Sequence, residues 1–229
     1  SPDVAVPQVF WETTTSRVLT LERMHGIRVD DLPALDAAGI DRNQLARRGA
    51  DLILTMVFEN RYFHADPHPG NMFIHADGSI ALIDFGMVGQ LDEEVTEQLS
   101  DVLLAFTRGD SDALATALLA LSITKNTSDR GELGRSLDVF VSRYRGRPLS
   151  EINLSHLLGE LLALLRHHHL QLPQQTALLF KVLMMGEALA ARLDPEFEML
   201  QALTPFSERI VQRQFSLPAL AKRWAQASA

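Results

Sequence analysis

The sequence predicts a mainly α (α+β) fold, in which a helical body carries a short β-hairpin and little other β-structure. Three observations predict it. Residues 1–30 contain two short runs typical of strands, residues 72–83 have the pattern of a hairpin, and the chain from about residue 92 onward has helical periodicity. With 46% hydrophobic and 22% charged residues over 229 positions, the chain has a globular composition and is not disordered.

The first predicted elements are two β-like runs at 8–11 and 17–21, joined by a polar connection. Residues 41–60 then place apolar side chains near the 3.6-residue period, which predicts a helix. Asp41 is suited to the N-cap of this helix because its carboxylate can accept hydrogen bonds from the first free N–H groups.

Residues 61–71 carry two prolines and a glycine among polar groups, which predicts a shaped loop because proline cannot occupy a helix interior. Two short apolar runs follow at 72–74 and 80–83. They are separated by a segment that contains Asp77 and Gly78, a pair typical of tight turns, so the sequence predicts a β-hairpin here.

The remaining chain is predicted to be helical over the segments 95–107, 111–121, 132–143, 154–169 and 174–193. Glycines and prolines predict the breaks between and after these helices, near Gly109, Gly131, Pro148, Pro173, Pro195, Pro205 and Pro218.

Composition excludes several classes of function. Lys and Arg total 21 against 29 Asp and Glu, so the net charge of −8 argues against non-specific nucleic-acid binding. Cysteine is absent, which excludes disulfides, thiolate-bound zinc, iron–sulfur clusters and a cysteine nucleophile. No apolar run reaches the roughly 18 residues of a membrane span, and no signal-peptide pattern precedes the first run. The sequence starts without Met, and we expect a fragment.

Three polar features in a fixed order predict phosphate chemistry: His64-x-Asp66, then Asn71, then Asp84-Phe85-Gly86. A loop aspartate near a substrate hydroxyl can orient it and accept its proton. The asparagine can turn back to bind a metal ion, and the hairpin returns the chain so that Asp84 reaches the same ion. Amide and carboxylate oxygens suit Mg²⁺, which completes its shell with water and nucleotide phosphates. Gly86 would let the backbone turn sharply after the ligand.

This order resembles the catalytic and metal loops of the protein-kinase-like fold. In detail it resembles the UbiB/ADCK family of AarF-domain atypical kinases. Residues 64–71 read H-A-D-P-H-P-G-N, and residues 84–89 read D-F-G-M-V-G. Residues 18–26, V-L-T-L-E-R-M-H-G, look like the last N-lobe strand and hinge of that family. The resemblance covers about residues 8–200.

The resemblance implies ATP and Mg²⁺ as cofactors and assigns roles to the loop residues. Asp66 would be the catalytic base or hydroxyl-positioning carboxylate, and Asn71 and Asp84 would bind the magnesium ion. His64 would brace the loop beneath the D-F-G turn, and His68 would help to shape it.

The same resemblance implies an adenine site. The backbone of Glu22 and Met24 would meet the edge of the adenine, and Phe73 would lie under its ring.

A complete kinase also needs a phosphate loop and a strand lysine paired with a helix glutamate. The three lysines, Lys125, Lys181 and Lys222, all follow the D-F-G segment, and the first glycine is Gly26. We therefore expect a protein-kinase-like C-lobe whose N-lobe is largely absent, with weak or no activity on its own.

The expected division has three parts. Residues 1–26 would form the last N-lobe strands and hinge, and residues 27–205 the helical C-lobe with its catalytic and metal loops. Residues 206–229 would form a basic amphipathic tail, because basic and apolar residues interleave there. Such a tail suits either a membrane surface or packing on the helical body.

The predicted substrate is a small molecule or lipid, or water in simple ATP hydrolysis. A helix start at 91–95 follows Gly86 closely and no A-P-E occurs, so the sequence offers no platform for a protein substrate. The resemblance further implies a role in isoprenoid-quinone (ubiquinone) biosynthesis. It also implies a place in the cytoplasm or at the cytoplasmic side of a bacterial inner membrane, or at the matrix side in mitochondria.

Two alternatives remain open at this stage. One is a small-molecule phosphotransferase of the aminoglycoside or choline kinase type, which shares an H-x-D-x-H-P-x-N style of loop. The other is a nucleotide-gated scaffold, a pseudo-enzyme that organises a lipid-synthesis complex.

Overall fold

The computed structural model describes residues 4–124, 130–148 and 151–214, with side chains through Phe206. The chain divides into two compact units. One contains the residues up to Gly89 together with Lys181–Phe197, and the other contains Gln90–Phe180 together with the residues from Glu198 onward. Helices make up most of the described chain and the strands are short, so the predicted mainly α fold class is confirmed.

The first unit contains a small mixed sheet. The strands of the described chain are β1 (Val4–Ala5), β2 (Ile27–Arg28), β3 (Tyr62–His64), β4 (Met72–Ile74), β5 (Ile80–Leu82) and β6 (Val88–Gln90). Four of them form a sheet in the order β1-β5-β4-β2. Strands β4 and β5 pair antiparallel with Phe73 opposite Ala81, which confirms the predicted hairpin. Gly78 turns the chain between them with a φ of 77°, a conformation that favours glycine.

Strands β3 and β6 form a separate two-stranded sheet. The prediction that residues 61–71 are entirely loop is therefore wrong at 62–64. The prolines that break regular structure lie only after His64, and the residues before them are free to pair in extended form.

The two β-like runs near the N-terminus pair with each other around a single antiparallel bridge between Val9 and Leu21. The N–H of Phe10 donates to the carbonyl of Thr20 at 2.9 Å. No longer strand forms among the described residues here, and Trp11 is 75% exposed, so little apolar burial supports this pair of runs.

Helix α1 (Leu32–Ala37) was not predicted, because six residues are too few to show a helical period. Helix α2 (Arg42–Leu54) continues as a π-helical turn over Thr55–Glu59, close to the predicted span of 41–60. The carboxylate of Asp41 accepts hydrogen bonds from two N–H groups of the first turn, which confirms the predicted N-cap.

An apolar core holds the described part of the first unit together. It joins one face of the four-stranded sheet to α2 and to the C-terminal part of a later helix, through residues that include Leu45, Met72, Ile80, Leu82 and Leu189. The core therefore fixes the hairpin against two helices, and it anchors the loop that precedes the hairpin.

The second unit is helical. The remaining helices are α3 (Glu93–Arg108), α4 (Ser111–Leu121), α5 (Arg130–Tyr144), α6 (Leu154–His167), α7 (Gln174–Leu193) and α8 (Met199–Gln214). Within this unit α4 packs against α3 and α5. Helix α7 contributes its first residues to this unit and the rest to the first unit.

Gly109 ends α3 in the left-handed conformation, as predicted. Helix α5 begins at Arg130, beside Gly131, in agreement with the break predicted near that glycine. The break predicted near Pro205 is wrong. Pro205 lies inside α8, where the burial of Met199 and Phe206 on either side offsets the lost backbone hydrogen bond.

Helix α8 runs across the predicted start of the tail at residue 206, and residues 215–229 lie outside the described chain. No helix in the described ranges combines the length and the apolar character needed to cross a bilayer.

Candidate active site

His64 ties the predicted catalytic loop to the end of the hairpin. Its ring is 1% exposed. Nδ1 accepts a hydrogen bond from the N–H of Asp66 at 3.1 Å, and Nε2 lies 3.0 Å from the carbonyl of Ile83. Because a carbonyl can only accept, Nε2 carries the ring proton and both nitrogens are used. The ring also lies 5.1 Å from that of Phe85, so His64 contacts the D-F-G turn, where a bracing residue would lie.

Asp66 carries the carboxylate at the centre of the loop, and its side chain is 35% exposed. Its Oδ1 accepts a hydrogen bond from Nζ of Lys181 at 2.8 Å, and its Oδ2 lies 4.0 Å from Nε2 of His68. The hydrogen bond from Lys181 is the main cause that lowers the pKa of Asp66, against an opposing effect of desolvation. Asp66 is therefore a carboxylate able to accept a hydrogen bond or proton.

Lys181 is a site residue that sequence reasoning missed. It lies on α7, 115 residues from Asp66. Its one available signal was that it is the single charge in the apolar run at 177–186. Such a lone charge tends to have a specific partner, although the sequence does not identify that partner.

Asn71 closes the loop on itself and is only 5% exposed. Its side-chain Nδ2 donates to the backbone carbonyl of Asp66 at 3.2 Å. Its own carbonyl accepts from the N–H of Ile83 at 3.0 Å, one residue before Asp84. Since the amide nitrogen is engaged, Oδ1 is the side-chain atom that could bind a cation.

His68 shapes the turn between Asp66 and Asn71. Its Nδ1 accepts from the N–H of Gly70 at 3.0 Å and caps the 3₁₀ turn Pro69–Asn71. A Cβ at position 70 would lie 2.7 Å from the His68 ring, so glycine is required there for close approach. This contact agrees with the loop-shaping role expected of His68.

Asp84 is exposed and has a φ of 59°, a conformation that L-residues rarely adopt and aspartate tolerates better than most. Its Oδ1 accepts from the N–H of Gly86 at 3.2 Å. Phe85 and Gly86 lie in a turn, as expected for this glycine, and the left-handed backbone angle falls on Asp84. A Cβ at position 86 would lie 3.1 Å from the Asp84 carboxylate, so glycine also allows a close approach there.

The three residues predicted to meet the adenine lie in the same unit. The N–H of Glu22 donates to the carbonyl of Gln8 at 2.8 Å, so its own carbonyl is the group left for an adenine edge. Met24 is half-buried. Phe73 alternates with the buried Met72 on β4 and therefore faces away from the core. Their roles in binding a nucleotide stay predictions.

Asn71 and Asp84 fit a magnesium ion chemically. Both lie at the same end of the hairpin, because the carbonyl of Asn71 accepts a hydrogen bond from the N–H of Ile83, the residue before Asp84. Two oxygen ligands from protein are typical for Mg²⁺, which takes its other ligands from water and phosphates. In the described ranges no group of three or more His, Asp or Glu residues is placed to hold a metal on its own.

Comparison with known proteins gives two family matches. Residues 1–118 match the model of the ABC1 atypical kinase-like domain, and residues 137–198 match that of the UbiB helical domain. The first match contains the predicted catalytic and metal residues. The second contains Lys181.

The chain is also similar to curated proteins named "Probable protein kinase UbiB". It is 36% identical over 222 residues to the one from Xanthomonas axonopodis pv. citri (strain 306). It is 35% identical over 222 residues to the one from Xylella fastidiosa (strain M12). Both alignments cover 94% of this chain and 40% of the relative, so the chain spans about 40% of the length of the relatives it matches.

Proposed function

The chain belongs to the ABC1 atypical kinase-like family, and from this premise we propose that it carries the catalytic and metal loops of an atypical kinase or ATPase. In this proposal the whole protein binds Mg-ATP and either hydrolyses it or transfers its phosphate to a small or lipid substrate. The chain would provide the base, the two metal ligands and part of the adenine site.

One observation carries this proposal. The amide of Asn71 bonds to the backbone of Asp66, and the backbone of Asn71 bonds to Ile83 beside Asp84. Asp66, Asn71 and Asp84 are separate in sequence, and these bonds attach them to one loop and to the adjoining end of one hairpin. These attachments support the proposal, because phosphoryl transfer depends mostly on positioning a base and a magnesium ion and on charge stabilisation.

The residues of the chain would divide the work as follows. Asp66 would orient the attacking hydroxyl or water and accept its proton, while His64 and Asn71 keep its backbone in place. Asn71 Oδ1 and Asp84 would hold the metal. When bound, magnesium would supply positive charge that neutralises the phosphates.

The short distance along the chain between the D-F-G segment and α3 supports a small or lipid substrate. Helix α3 begins at Glu93, seven positions after Gly86, and β6 occupies part of this interval. Such a segment leaves little chain for a surface that grips a peptide, although the relatives carry the name of protein kinases.

We extend the proposal to isoprenoid-quinone biosynthesis because of the family and the UbiB name of the relatives. The site of action would be the cytoplasm or the cytoplasmic face of a bacterial inner membrane.

Magnesium-dependent nucleotide binding tests the proposal. Isothermal titration of the chain with ADP and ATP should show weak binding that needs Mg²⁺ and falls at least tenfold in Asp84→Asn. The matched control is Asp77→Asn, because Asp77 is an exposed carboxylate in the turn of the same hairpin. Binding that ignores Mg²⁺, or that both variants weaken equally, would refute the proposed site.

A further inference from the structure

We propose that Lys181 is a positioning residue for Asp66, which fixes the orientation of its carboxylate and supplies a positive charge that the catalytic loop lacks. This inference rests on the proposed function, because it concerns the base of that same site. The lysine belongs to the segment that matches the UbiB helical domain, whereas Asp66 belongs to the segment that matches the kinase-like domain.

The charge pattern of the sequence gives the first argument. The chain has no Lys or Arg between Arg61 and Arg108, a stretch that contains both the catalytic loop and the metal loop. A permanent positive charge beside Asp66 must therefore come from outside this stretch. Histidine is the only basic residue type within it, and histidine is not permanently charged near neutral pH.

The contact between the two side chains gives the second argument. Nζ of Lys181 lies 2.8 Å from Oδ1 of Asp66, which is the length of a charge-assisted hydrogen bond. This bond uses one carboxylate oxygen, and Oδ2 remains on the side of His68 at 4.0 Å. The lysine thereby selects which oxygen faces a substrate.

The packing of α7 shows why the lysine is held in place. Val182, which follows it, is completely buried. About two and three turns further along the same helix, Leu189 and Leu193 join the core that contains Met72 and Leu82 of the hairpin. The helix that carries Lys181 and the hairpin that follows the catalytic loop therefore share one core in the first unit. The lysine side chain is 45% exposed, so its removal leaves this core intact.

The basic groups near the Asp66 carboxylate come from two elements. Lys181 reaches Oδ1 from α7 at 2.8 Å, and His68 lies 4.0 Å from Oδ2 on the loop. Of these two, only the lysine carries a permanent charge. Removing this lysine should therefore release Oδ1 and leave the carboxylate without a fixed orientation.

The test is the carbon-13 chemical shift of the Asp66 carboxyl at neutral pH in the whole 229-residue chain. Lys181→Gln should move this signal because the carboxylate loses its charged donor, and Lys181→Arg should restore a signal close to that of the wild type. The control is Arg192→Gln, which removes an exposed charge from the same helix and should leave the Asp66 signal unchanged. An Asp66 carboxyl signal that is the same in Lys181→Gln and in the wild type would overturn the inference.

Nucleotide titration of the same samples separates this inference from the proposed function. If the wild type binds Mg-nucleotide and the Asp66 carboxyl signal does not respond to Lys181, only the positioning role fails. If the wild type binds no Mg-nucleotide, the proposed function fails, and the role of Lys181 in catalysis fails with it even where the carboxyl signal responds.

Discussion

The side-chain amide of Asn71 donates to the backbone carbonyl of Asp66 across 3.2 Å, so the predicted metal ligand also fixes the predicted base. One buried side chain thus joins two functions: its nitrogen stabilises the loop, and its oxygen is left for a cation. A change at this position should therefore affect stability as well as metal binding.

Asn71→Ala should lower the free energy of unfolding by about 1–3 kcal/mol, the usual cost of leaving a buried polar group without its partner. The carbonyl of Asp66 would lose the hydrogen bond from the amide. Urea unfolding followed by circular dichroism measures the loss. Asn43→Ala is the control, because Asn43 is exposed in the first turn of α2 and its replacement should change stability by no more than about 0.5 kcal/mol. Equal effects of the two substitutions would contradict the structural role of Asn71.

His64→Ala should destabilise the chain by about 1–3 kcal/mol, because the N–H of Asp66 and the carbonyl of Ile83 would both lose their partner in a buried position. The exposed His156 provides the control for removal of an imidazole. Thermal unfolding of both alanine variants checks this. If His64→Ala were as stable as His156→Ala, the bracing role would be wrong.

Two glycine-to-alanine substitutions should change the free energy of unfolding in opposite directions. A Cβ at Gly89 would overlap the ring of Phe63, so Gly89→Ala should destabilise the β3–β6 pair by about 1–3 kcal/mol. Gly49 lies inside α2 with nothing within 4 Å of its added Cβ, so Gly49→Ala should stabilise by about 0.5–1 kcal/mol. Chemical denaturation of both variants measures the difference. A loss of stability in Gly49→Ala, or no change of stability in Gly89→Ala, would contradict the packing described around these two glycines.

Sequence reasoning succeeded where the signal is local and periodic. The hairpin, the capped helix α2 and the end of α3 at Gly109 follow from alternation, from the 3.6-residue period and from glycine, and the structure has all three. The loop residues from His64 to Asn71 could be recognised because their order along the chain is itself the signal.

Sequence reasoning gives no signal where a contact joins residues that are distant in the chain, or where a backbone angle is set by tertiary surroundings. Lys181 meets Asp66 only because α7 packs on the same core as the hairpin, and no pattern in the sequence reports that packing. No pattern in the sequence predicts the left-handed backbone angle of Asp84 either, because aspartate adopts that conformation only in particular tertiary surroundings.

Tyr144 predicts a measurable response to alkaline pH. Burial and a 3.0 Å hydrogen bond to Glu160 raise the pKa of its phenol from 10.0 to about 12. Since the folded-state pKa lies above that of the unfolded chain, this stability is fully present below about pH 10 and is lost as the pH rises through 12. An ultraviolet titration of phenolate should show a step near pH 12 that Tyr144→Phe abolishes. Persistence of that step in the variant would contradict this environment.

The central claim is that Asn71 and Asp84 bind one divalent ion beside a nucleotide. Paramagnetic relaxation by Mn²⁺ in the presence of ADP tests it most directly, because the ion broadens the NMR signals of the amides nearest to it. We predict that the amides of Asn71, Asp84 and Gly86 broaden first, and that Asp84→Asn abolishes the effect while Asp77→Asn retains it. Broadening centred elsewhere, for example at the three consecutive histidines of residues 167–169, or broadening unchanged in Asp84→Asn, would contradict the account.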